Sequence, residues 1–321
     1  MINEKKLIAF GPVPSRRLGK SLGINNIPPK ICTYSCVYCQ LGRTNNMQVE
    51  RREFYEPNEI VSAVEDKVGE ARTRKEPIDY LTFVPDGEPT LDINLGKEIE
   101  LLKPLEIKIA VITNASLIWD KKVQDDLQKA DWVSLKIDTI NQDIWHRIDR
   151  PHNSLKFEKI MDGISEFSQI FNGELVTETM ITENVNDSID VLEDTADFIA
   201  ELKTKKSYIS IPTRPPAEQW VKSPKEVVIV KAYDSFKEKG IDVEYLIGYE
   251  GNAFAYTGDI EKDVLSIASV HPIREEGMEE LLKKSKSDWD VVEKLIHDDK
   301  LVAVEYKNKR FYIRKMIGRS S

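Results

Sequence analysis

The sequence predicts an α/β protein, a partial (β/α)6-type barrel followed by a small C-terminal domain. Short apolar runs rich in β-branched residues alternate with helix-like stretches along most of the chain. About six such repeats predict parallel strands joined by helices, with functional loops at the carboxyl edge of the strands. The pattern changes near Gly258, so we expect one domain over residues 1–257 and a second over 258–321.

The strands are predicted where Val, Ile, Leu and Tyr cluster between turn-forming residues. In chain order they are Leu7–Phe10 or Leu22–Asn25, Tyr80–Val84, Ile107–Thr113, Trp132–Lys136, Leu175–Ile181, Tyr208–Pro212 and Val243–Leu246. Helices are predicted between them from apolar residues at helical spacing. They cover Pro57–Arg74, Leu95–Lys103, Trp119–Lys129, Ser154–Phe171 and Ser188–Lys203. Pro57 and Pro224 suit first helical turns, and Asn186 or Asp187 is expected to cap the helix Ser188–Lys203.

The C-terminal segment predicts three short helices, at 259–269, 274–285 and 287–298, and then a hairpin of Leu301–Glu305 and Arg310–Arg314. This order resembles a winged-helix module, although a packing or capping domain is the alternative. The third helix, which would be the recognition helix, is acidic, so we expect a protein or substrate contact and no DNA reading.

Composition and charge limit the function classes. The chain has 321 residues and a net charge of −9, which argues against a general nucleic-acid binder. Residues 1–52 nevertheless carry nine Lys or Arg against two Glu, a charge of +7 that leaves −16 for the remainder. This stretch is either a solvated basic face or an entrance that attracts anions. No apolar run reaches the ~18 residues of a membrane span and no secretory signal is recognisable, so we expect a cytoplasmic protein.

All three cysteines of the chain lie within eight residues, as Cys32, Cys36 and Cys39 in a C-x3-C-x2-C spacing. Zinc would require a fourth ligand, and no other cysteine or nearby histidine supplies one. A cluster of four irons held by three thiolates has one iron open to a further ligand. Reactive cysteines or buried structural thiols are the alternatives.

This spacing, with Tyr38 directly before the last cysteine, resembles the signature of the radical SAM superfamily. The resemblance implies that the three cysteines bind one [4Fe-4S] cluster and that S-adenosylmethionine (SAM) chelates the open iron. It further implies that SAM is cleaved reductively to a 5′-deoxyadenosyl radical, with an electron from ferredoxin or flavodoxin. Tyr38 is then expected beside the cofactors.

A second motif, Val84–Leu91, follows a predicted strand and resembles the GE motif of that family. The resemblance implies that Gly87 and Glu88 contact the amino group of SAM. Gly87 permits a close approach of the backbone, and the carboxylate of Glu88 can accept from an ammonium group. The alternative is an ordinary Gly-Glu-Pro turn.

Polar residues at the ends of later strands are further candidates. Asn114 and Ser116 follow the third strand, where the family places contacts to SAM; a turn cap is the alternative for Asn114. Lys136 and Asp138 end the fourth strand with the same parity, so both are candidate catalytic residues, or else a structural ion pair. The polar run 177–179 predicts that one of its residues faces the barrel interior.

Three segments indicate which group of the superfamily the chain resembles. They are Phe10–Gly23, Cys39–Thr44 and Ile148–Pro151. Over roughly residues 7–250 the chain resembles a single-cluster prokaryotic group near the wyosine base synthases, which modify a guanosine in tRNA. Those synthases carry additional cysteines for a second cluster, whereas here every cysteine belongs to the first. Wyosine base synthesis is therefore not carried over.

Three functions stay open. The chain modifies RNA, or it activates a protein partner, or it is a non-catalytic regulator that binds SAM. Arg16 and Arg17 are expected to clamp the SAM carboxylate or a substrate phosphate, or else to pair with the acidic helix around Glu98–Glu100.

Overall fold

A computed structural model describes residues 8–246, 259–270, 273–306 and 308–315. Its strands are β1 (Ala9–Ser15), β2 (Gly19–Ile24), β3 (Ile31–Cys32), β4 (Asn46–Met47), β5 (Tyr80–Phe83), β6 (Lys108–Thr113), β7 (Trp132–Lys136), β8 (Glu174–Met180), β9 (Lys206–Ser210), β10 (Val243–Leu246), β11 (Ile273–Arg274), β12 (Leu301–Tyr306) and β13 (Lys309–Arg314). Its helices are α1 (Pro57–Thr73), α2 (Leu95–Leu102), α3 (Lys121–Leu127), α4 (Gln142–Ile148), α5 (Phe157–Ile170), α6 (Ile189–Glu201), α7 (Glu226–Glu238), α8 (Ile260–Val270), α9 (Glu275–Ser285) and α10 (Asp290–His297). None of these helices combines the length and apolarity that crossing a bilayer requires.

Eight strands form the main sheet, in the order β1-β2-β5-β6-β7-β8-β9-β10. From β2 to β10 every neighbouring pair is parallel, whereas β1 is antiparallel to β2. Among the described residues β1 and β10 are the two ends of the sheet and are not paired with each other. The predicted partial barrel is therefore confirmed, with an antiparallel strand added at one edge.

The two faces of the sheet bury different layers, because successive side chains of a strand point to opposite faces. In β6, Ile109 and Val111 belong to the core between sheet and helices, while Ala110 packs on the inner face. Trp132, the first residue of β7, and Tyr208, in the middle of β9, fill that inner face. The carboxyl edge of the strands is the end at which a cavity remains.

The predicted elements differ from the structure in a few places. Both of the alternative first strands form, as the antiparallel pair β1 and β2, and helix α4 was not predicted. The expected cap of α6 is wrong, since Ser188 precedes that helix. The Asn186 amide instead donates to the carbonyls of Asp138 and Met180, both at 2.8 Å.

The C-terminal segment folds as three helices and a three-stranded antiparallel sheet in the order β11-β13-β12. The order of helices and hairpin follows the prediction, and β11 adds a third strand. The winged-helix classification stays a prediction. The expected domain boundary at 257/258 and Lys307 of the hairpin turn lie outside the described residues.

The C-terminal segment packs directly on the first strand of the main sheet. Phe10 and Val13 of β1 share one apolar core with Val264 of α8, Leu281 of α9 and Tyr312 of β13. All five side chains are buried. The antiparallel edge of the partial barrel is thus covered, and the C-terminal segment is held beside the carboxyl edge of the sheet.

Candidate functional site

A cavity of about 330 Å³ lies at the carboxyl ends of the parallel strands. Its walls come from the cysteine loop, the loop after β5, and the ends of β6, β7, β8 and β9. Ten residues were nominated as cluster ligands, SAM contacts or catalytic residues, and eight of them line it: Cys32, Cys36, Tyr38, Cys39, Gly87, Glu88, Asn114 and Lys136. Within the described chain, Ser116 and Asp138 do not belong to this lining.

The cysteine loop is docked by its backbone on the segment that follows α4. The amide of Val37 donates to the carbonyl of Ile148 at 2.9 Å, and that of Ser35 to Asp149 at 3.0 Å. Tyr34 forms an isolated β-bridge with Pro151. These contacts direct the three thiols towards one cavity, although the loop itself has almost no regular structure.

The donor set in the cavity fits a four-iron cluster with one open iron. Its described lining contains three thiols and no histidine, and the chain has no fourth cysteine. Among the described residues, no group of three or more His, Cys, Asp or Glu is placed to hold a single metal ion. In a four-iron cluster each thiolate binds a different iron, so the three sulfurs need not converge on one ion.

Two of the three thiols, those of Cys32 and Cys36, sit in an environment that favours their protonated form. Burial raises the pKa of Cys32 to about 12 and that of Cys36 well above its usual range. The Sγ of Cys36 donates to Oδ1 of Asp149 at 3.2 Å. Sequence reasoning missed Asp149, although it lies in the Ile148–Pro151 segment that carried the family resemblance. Metal ligation requires thiolates, so loading of this site releases protons.

The loop that contains Gly87 packs against the strand that begins the cysteine loop. Gly87 and Ile31 form a β-bridge, and the amide of Glu88 donates to the carbonyl of Ile31 at 3.1 Å. A Cβ added to Gly87 would lie 1.9 Å from that carbonyl oxygen. Only glycine permits this approach, which places the two sequence motifs side by side.

Glu88 is almost completely buried, and protein donors already engage its carboxylate. Oε1 accepts from the hydroxyls of Thr90 and Thr113, both at 2.6 Å, and Oε2 accepts from the amide of Asn114 at 2.8 Å. Burial raises the pKa of Glu88, and these hydrogen bonds oppose the shift. The carboxylate therefore ties the Gly87 loop to the end of β6, a role that the sequence did not indicate.

Asn114 makes the turn contact that was the alternative given for it, and it also contacts the cysteine loop, while its contact to SAM stays a prediction. Its Oδ1 accepts from the amide of Ser116 at 3.0 Å, which is a turn contact. Its Nδ2 donates to Thr33 Oγ1 at 2.8 Å and faces the Sγ of Cys32 at 3.6 Å. Ser116 is fully buried and its hydroxyl bonds to Thr33 at 2.7 Å. Ser116 therefore lies outside the cavity lining and hydrogen-bonds to the cysteine loop through Thr33.

Lys136 pairs with Glu178 and not with Asp138. Its Nζ lies 3.0 Å from Oε1 of Glu178 and 5.1 Å from the centre of the Tyr38 ring, and burial lowers its pKa. Asp138 lies behind the cavity wall, where it accepts from the hydroxyl of Tyr38 and from the amide of Met180. Glu178 is thus the residue of the polar run 177–179 that faces the interior.

Two arginines before the cysteine loop also reach the cavity. Arg17 forms an ion pair with Glu178, and Arg16 donates to the carbonyl of Leu246 at 2.7 Å. These contacts differ from the expected alternative, a pairing with the helix around Glu98–Glu100. Arg274, from the C-terminal segment, lines the same cavity and was not nominated by the sequence.

The chain is similar to one known protein family and to several known proteins. Residues 26–199 match the family model of the radical SAM superfamily. A UPF0026 protein of Methanocaldococcus jannaschii is 49% identical over 314 residues, which cover 97% of each chain. A probable dual-specificity RNA methyltransferase of Streptococcus sanguinis is 25% identical over 66% of this chain and 59% of its own. A radical SAM methyltransferase from Sphaerobacter thermophilus shares the fold, with a TM-score of 0.55 at 15% identity over 71% of this chain and 66% of its own.

The family model spans more than half of the chain, and it covers both the cysteine loop and the Gly87 loop. The non-catalytic alternative is not retained, because members of this family are enzymes. The chain therefore belongs to the radical SAM superfamily and is an enzyme that uses a [4Fe-4S] cluster and SAM.

Proposed function

We propose that Cys32, Cys36 and Cys39 ligate the cluster, and that SAM binds between them and the loop of Gly87 and Glu88. One observation carries this proposal: the two motifs, some fifty residues apart in sequence, line one cavity and hydrogen-bond to each other through Ile31. When bound, the cluster and SAM supply one-electron chemistry that ends in hydrogen abstraction from a substrate.

The side chains of the protein have three tasks in this proposal. The cysteines hold the iron, and the backbone of Gly87 offers a close approach to the polar end of SAM. The Asn114 amide, directed at the Cys32 sulfur, orients that thiolate by a hydrogen bond. Val84, Ile112 and other apolar residues of the lining exclude water around the reacting groups.

Anaerobic reconstitution with iron and sulfide tests the cofactor assignment. We expect about four irons per chain and formation of 5′-deoxyadenosine when SAM and dithionite are added. Cys36→Ala is expected to abolish both, while its apo form keeps the unfolding temperature of the wild-type apo protein. A wild-type protein that binds fewer than about two irons, or that forms no 5′-deoxyadenosine, would contradict the assignment.

We further propose that the substrate is RNA. The similarity to an RNA methyltransferase and the cationic side chains around the cavity support this class over an activated protein partner. Binding of a tRNA pool should weaken as salt concentration rises, because phosphate contacts displace counterions. Binding that is absent at low salt, together with labelling of a protein from deuterated substrate pools, would favour the protein alternative.

A further inference from the structure

We infer that Glu218, in the segment between β9 and α7, is a positioning residue that holds two of the three cluster ligands, Cys36 and Cys39, in place before iron binds. This inference rests on the proposed cluster assignment and deepens it, because it names the contact that preforms the cysteine loop. Glu218 makes this contact together with Arg43 and Arg150, and we call these three residues the Glu218 clamp.

The clamp is built on a buried carboxylate that two arginines share. Oε1 of Glu218 accepts from Nε of Arg43 at 2.8 Å and from Arg150 at 2.5 Å, and Oε2 accepts from a terminal nitrogen of Arg43 at 2.9 Å. The Glu218 side chain is 7% exposed, whereas those of Arg43 and Arg150 are 67% and 40% exposed. Hydrogen bonds from Arg43 lower the pKa of Glu218, so the carboxylate is charged at neutral pH. A two-pronged contact of this kind fixes direction as well as distance.

The two arginines belong to the cysteine loop and to the segment on which that loop is docked. Arg43 lies four residues after Cys39, beyond a hydrogen-bonded turn that begins at the Cys39 carbonyl. Arg150 directly follows Asp149, whose carboxylate accepts from the thiol of Cys36. The clamp therefore ties the end of the cysteine loop to the segment that contacts its second cysteine.

The backbone of Glu218 holds the same loop at Val37, the residue after Cys36. The amide of Glu218 donates to the Val37 carbonyl at 3.1 Å, while the Val37 amide donates to the carbonyl of Ile148 at 2.9 Å. The side chain of Val37 is fully buried and packs with Ile148 and Val221. A residue held by its amide, its carbonyl and its side chain has little freedom. The part of the loop that carries the second and third cysteines is thus fixed from the side of the clamp.

Cys32 is held by a different set of contacts. It lies in β3, where it pairs with Met47 of β4, and Nδ2 of Asn114 faces its sulfur at 3.6 Å. These contacts do not involve the clamp, so loss of the clamp should disturb Cys36 and Cys39 and leave Cys32 in place. A general loss of stability would instead expose all three thiols.

A preformed loop favours binding of the cluster. Ligands that are already in place do not have to be ordered when iron arrives, so less of the binding free energy is lost. Removal of a residue that orients metal ligands typically weakens metal binding by about 10- to 100-fold. The segment that carries Glu218 also lines the cavity through Ile211 and Thr213. The clamp thus joins one wall of the cavity to the ligands of the cluster.

Alkylation of the three thiols in the apo protein tests the positioning of the loop. Limiting iodoacetamide is added to the reduced protein, and fragmentation of the labelled peptide by mass spectrometry assigns the label to each cysteine. In Glu218→Gln we expect Cys36 and Cys39 to react several times faster than in the wild type, and Cys32 to keep its rate. Glutamine is similar in shape, but its amide nitrogen would direct a donor at a guanidinium, so one arm of the clamp is lost.

Iron retention tests the consequence for the cluster. Release of iron from the reconstituted protein to a chelator should be about tenfold faster in Glu218→Gln than in the wild type. The EPR spectrum of the reduced cluster should also change in shape, which a loss of overall stability would not cause. Arg43→Lys keeps the charge but not the planar fork, so its rates should lie between those of Glu218→Gln and the wild type.

Two further variants show whether the clamp acts as one unit. The double variant of Glu218→Gln and Arg150→Gln should react like Glu218→Gln alone, because both changes break the same contact. Glu244→Gln is the matched control, since Glu244 pairs with Lys206 at the surface, at the other end of β9. Its alkylation rates and its iron release should equal those of the wild type.

The inference is overturned if a folded Glu218→Gln keeps the wild-type rates at Cys36 and Cys39, or if all three thiols become faster to the same extent. Should Glu218→Gln not fold, Arg43→Lys at its largely exposed position provides the same comparison. Alkylation of the apo protein does not depend on the cluster. A wild-type protein that binds no iron therefore contradicts the cofactor assignment, while the pattern of alkylation still decides the role of the clamp.

Discussion

Lys30 and Asp86 form a buried ion pair that joins the two loops of the site. Nζ of Lys30 lies 3.1 Å from Oδ1 of Asp86, and the Lys30 amide donates to the Asp86 carbonyl at 2.7 Å. Both side chains are less than a tenth exposed. Lys30 precedes Cys32 by two residues and Asp86 directly precedes Gly87, so this pair sets the distance between the two motifs.

Asp86→Asn should therefore destabilise the protein. Removal of one partner leaves a buried charge uncompensated, which costs about 3–5 kcal/mol of the free energy of unfolding. Urea unfolding of the apo protein measures this loss. Glu261→Gln is the matched control, because Glu261 pairs with Lys294 at the surface and should cost at most about 1 kcal/mol. Equal losses in the two variants would contradict the role given to the buried pair.

Gly87→Ala should separate the two loops. Its Cβ would lie 1.9 Å from the Ile31 carbonyl oxygen, and the backbone has to shift to accept it. We expect a loss of about 1–3 kcal/mol and weaker SAM binding, measured by unfolding and by equilibrium dialysis.

Gly69→Ala provides the control for that substitution. Gly69 lies inside α1, and among the described residues an added Cβ would meet no heavy atom within 4 Å apart from the backbone of its own helix and its chain neighbours. Alanine favours a helix over glycine by up to about 1 kcal/mol, so Gly69→Ala should be neutral or stabilising. If both glycine substitutions behaved alike, the close approach of the loops would not be the cause.

The buried carboxyl pair of Asp92 and Glu98 should make the free energy of unfolding depend on pH. Glu98 is fully buried, neither of its oxygens has a donor among the described residues, and Asp92 is its acidic neighbour. Burial, and then the charge of Asp92, raise the pKa of Glu98 to about 9, and burial raises that of Asp92 to about 7. Arg51 bonds to Asp126 and to the carbonyl of Asp92 beside this pair. A proton held between the two carboxyls satisfies both.

The number of protons bound by the native and unfolded states decides whether stability rises or falls with pH. Between the unfolded pKa of about 4.3 for Glu and the folded value of about 9, the native state binds more protons than the unfolded state. Stability is therefore greatest at low pH in this window and falls as the pH rises. We expect a loss of more than about 1.4 kcal/mol between pH 6 and pH 9, the equivalent of one pKa unit.

Glu98→Gln should flatten this dependence, because glutamine is neutral throughout and can donate to Asp92. Urea midpoints at pH 6 and pH 9 provide the measurement. Glu100→Gln, at an exposed position of the same helix, should keep the pH dependence of the wild type. An unchanged slope in Glu98→Gln would show that the pair does not carry the effect.

Phe10→Ala should loosen the C-terminal segment from the main sheet. Phe10 is 3% exposed and packs in the core that β1 shares with α8 and α9. Truncation of a buried phenylalanine costs about 3–5 kcal/mol. Hydrogen exchange should increase in α8 and α9 more than in α5. Trp220→Ala, at an exposed position, should leave exchange in these helices unchanged.

The site was predictable where its chemistry is local in sequence. The spacing of the three cysteines and the Gly-Glu pair after a strand carry their meaning within a few residues. Asp149 and Glu178 could not be assigned in this way, because they meet Cys36 and Lys136 across 113 and 42 residues. Ser116 was predicted as a site residue from its place after a strand, but in the structure its hydroxyl bonds to Thr33 and does not line the cavity.

The sequence by itself determined the family, the three thiols and the alternation of strands and helices, because local composition and spacing encode each of them. Only the tertiary structure decided which charges meet at the site. It paired Lys30 with Asp86 and Lys136 with Glu178, and it placed Arg274 in the wall of the cavity. The physical reason is that ion pairs and cavity walls form between segments far apart in the chain, and packing of the whole fold sets their distances.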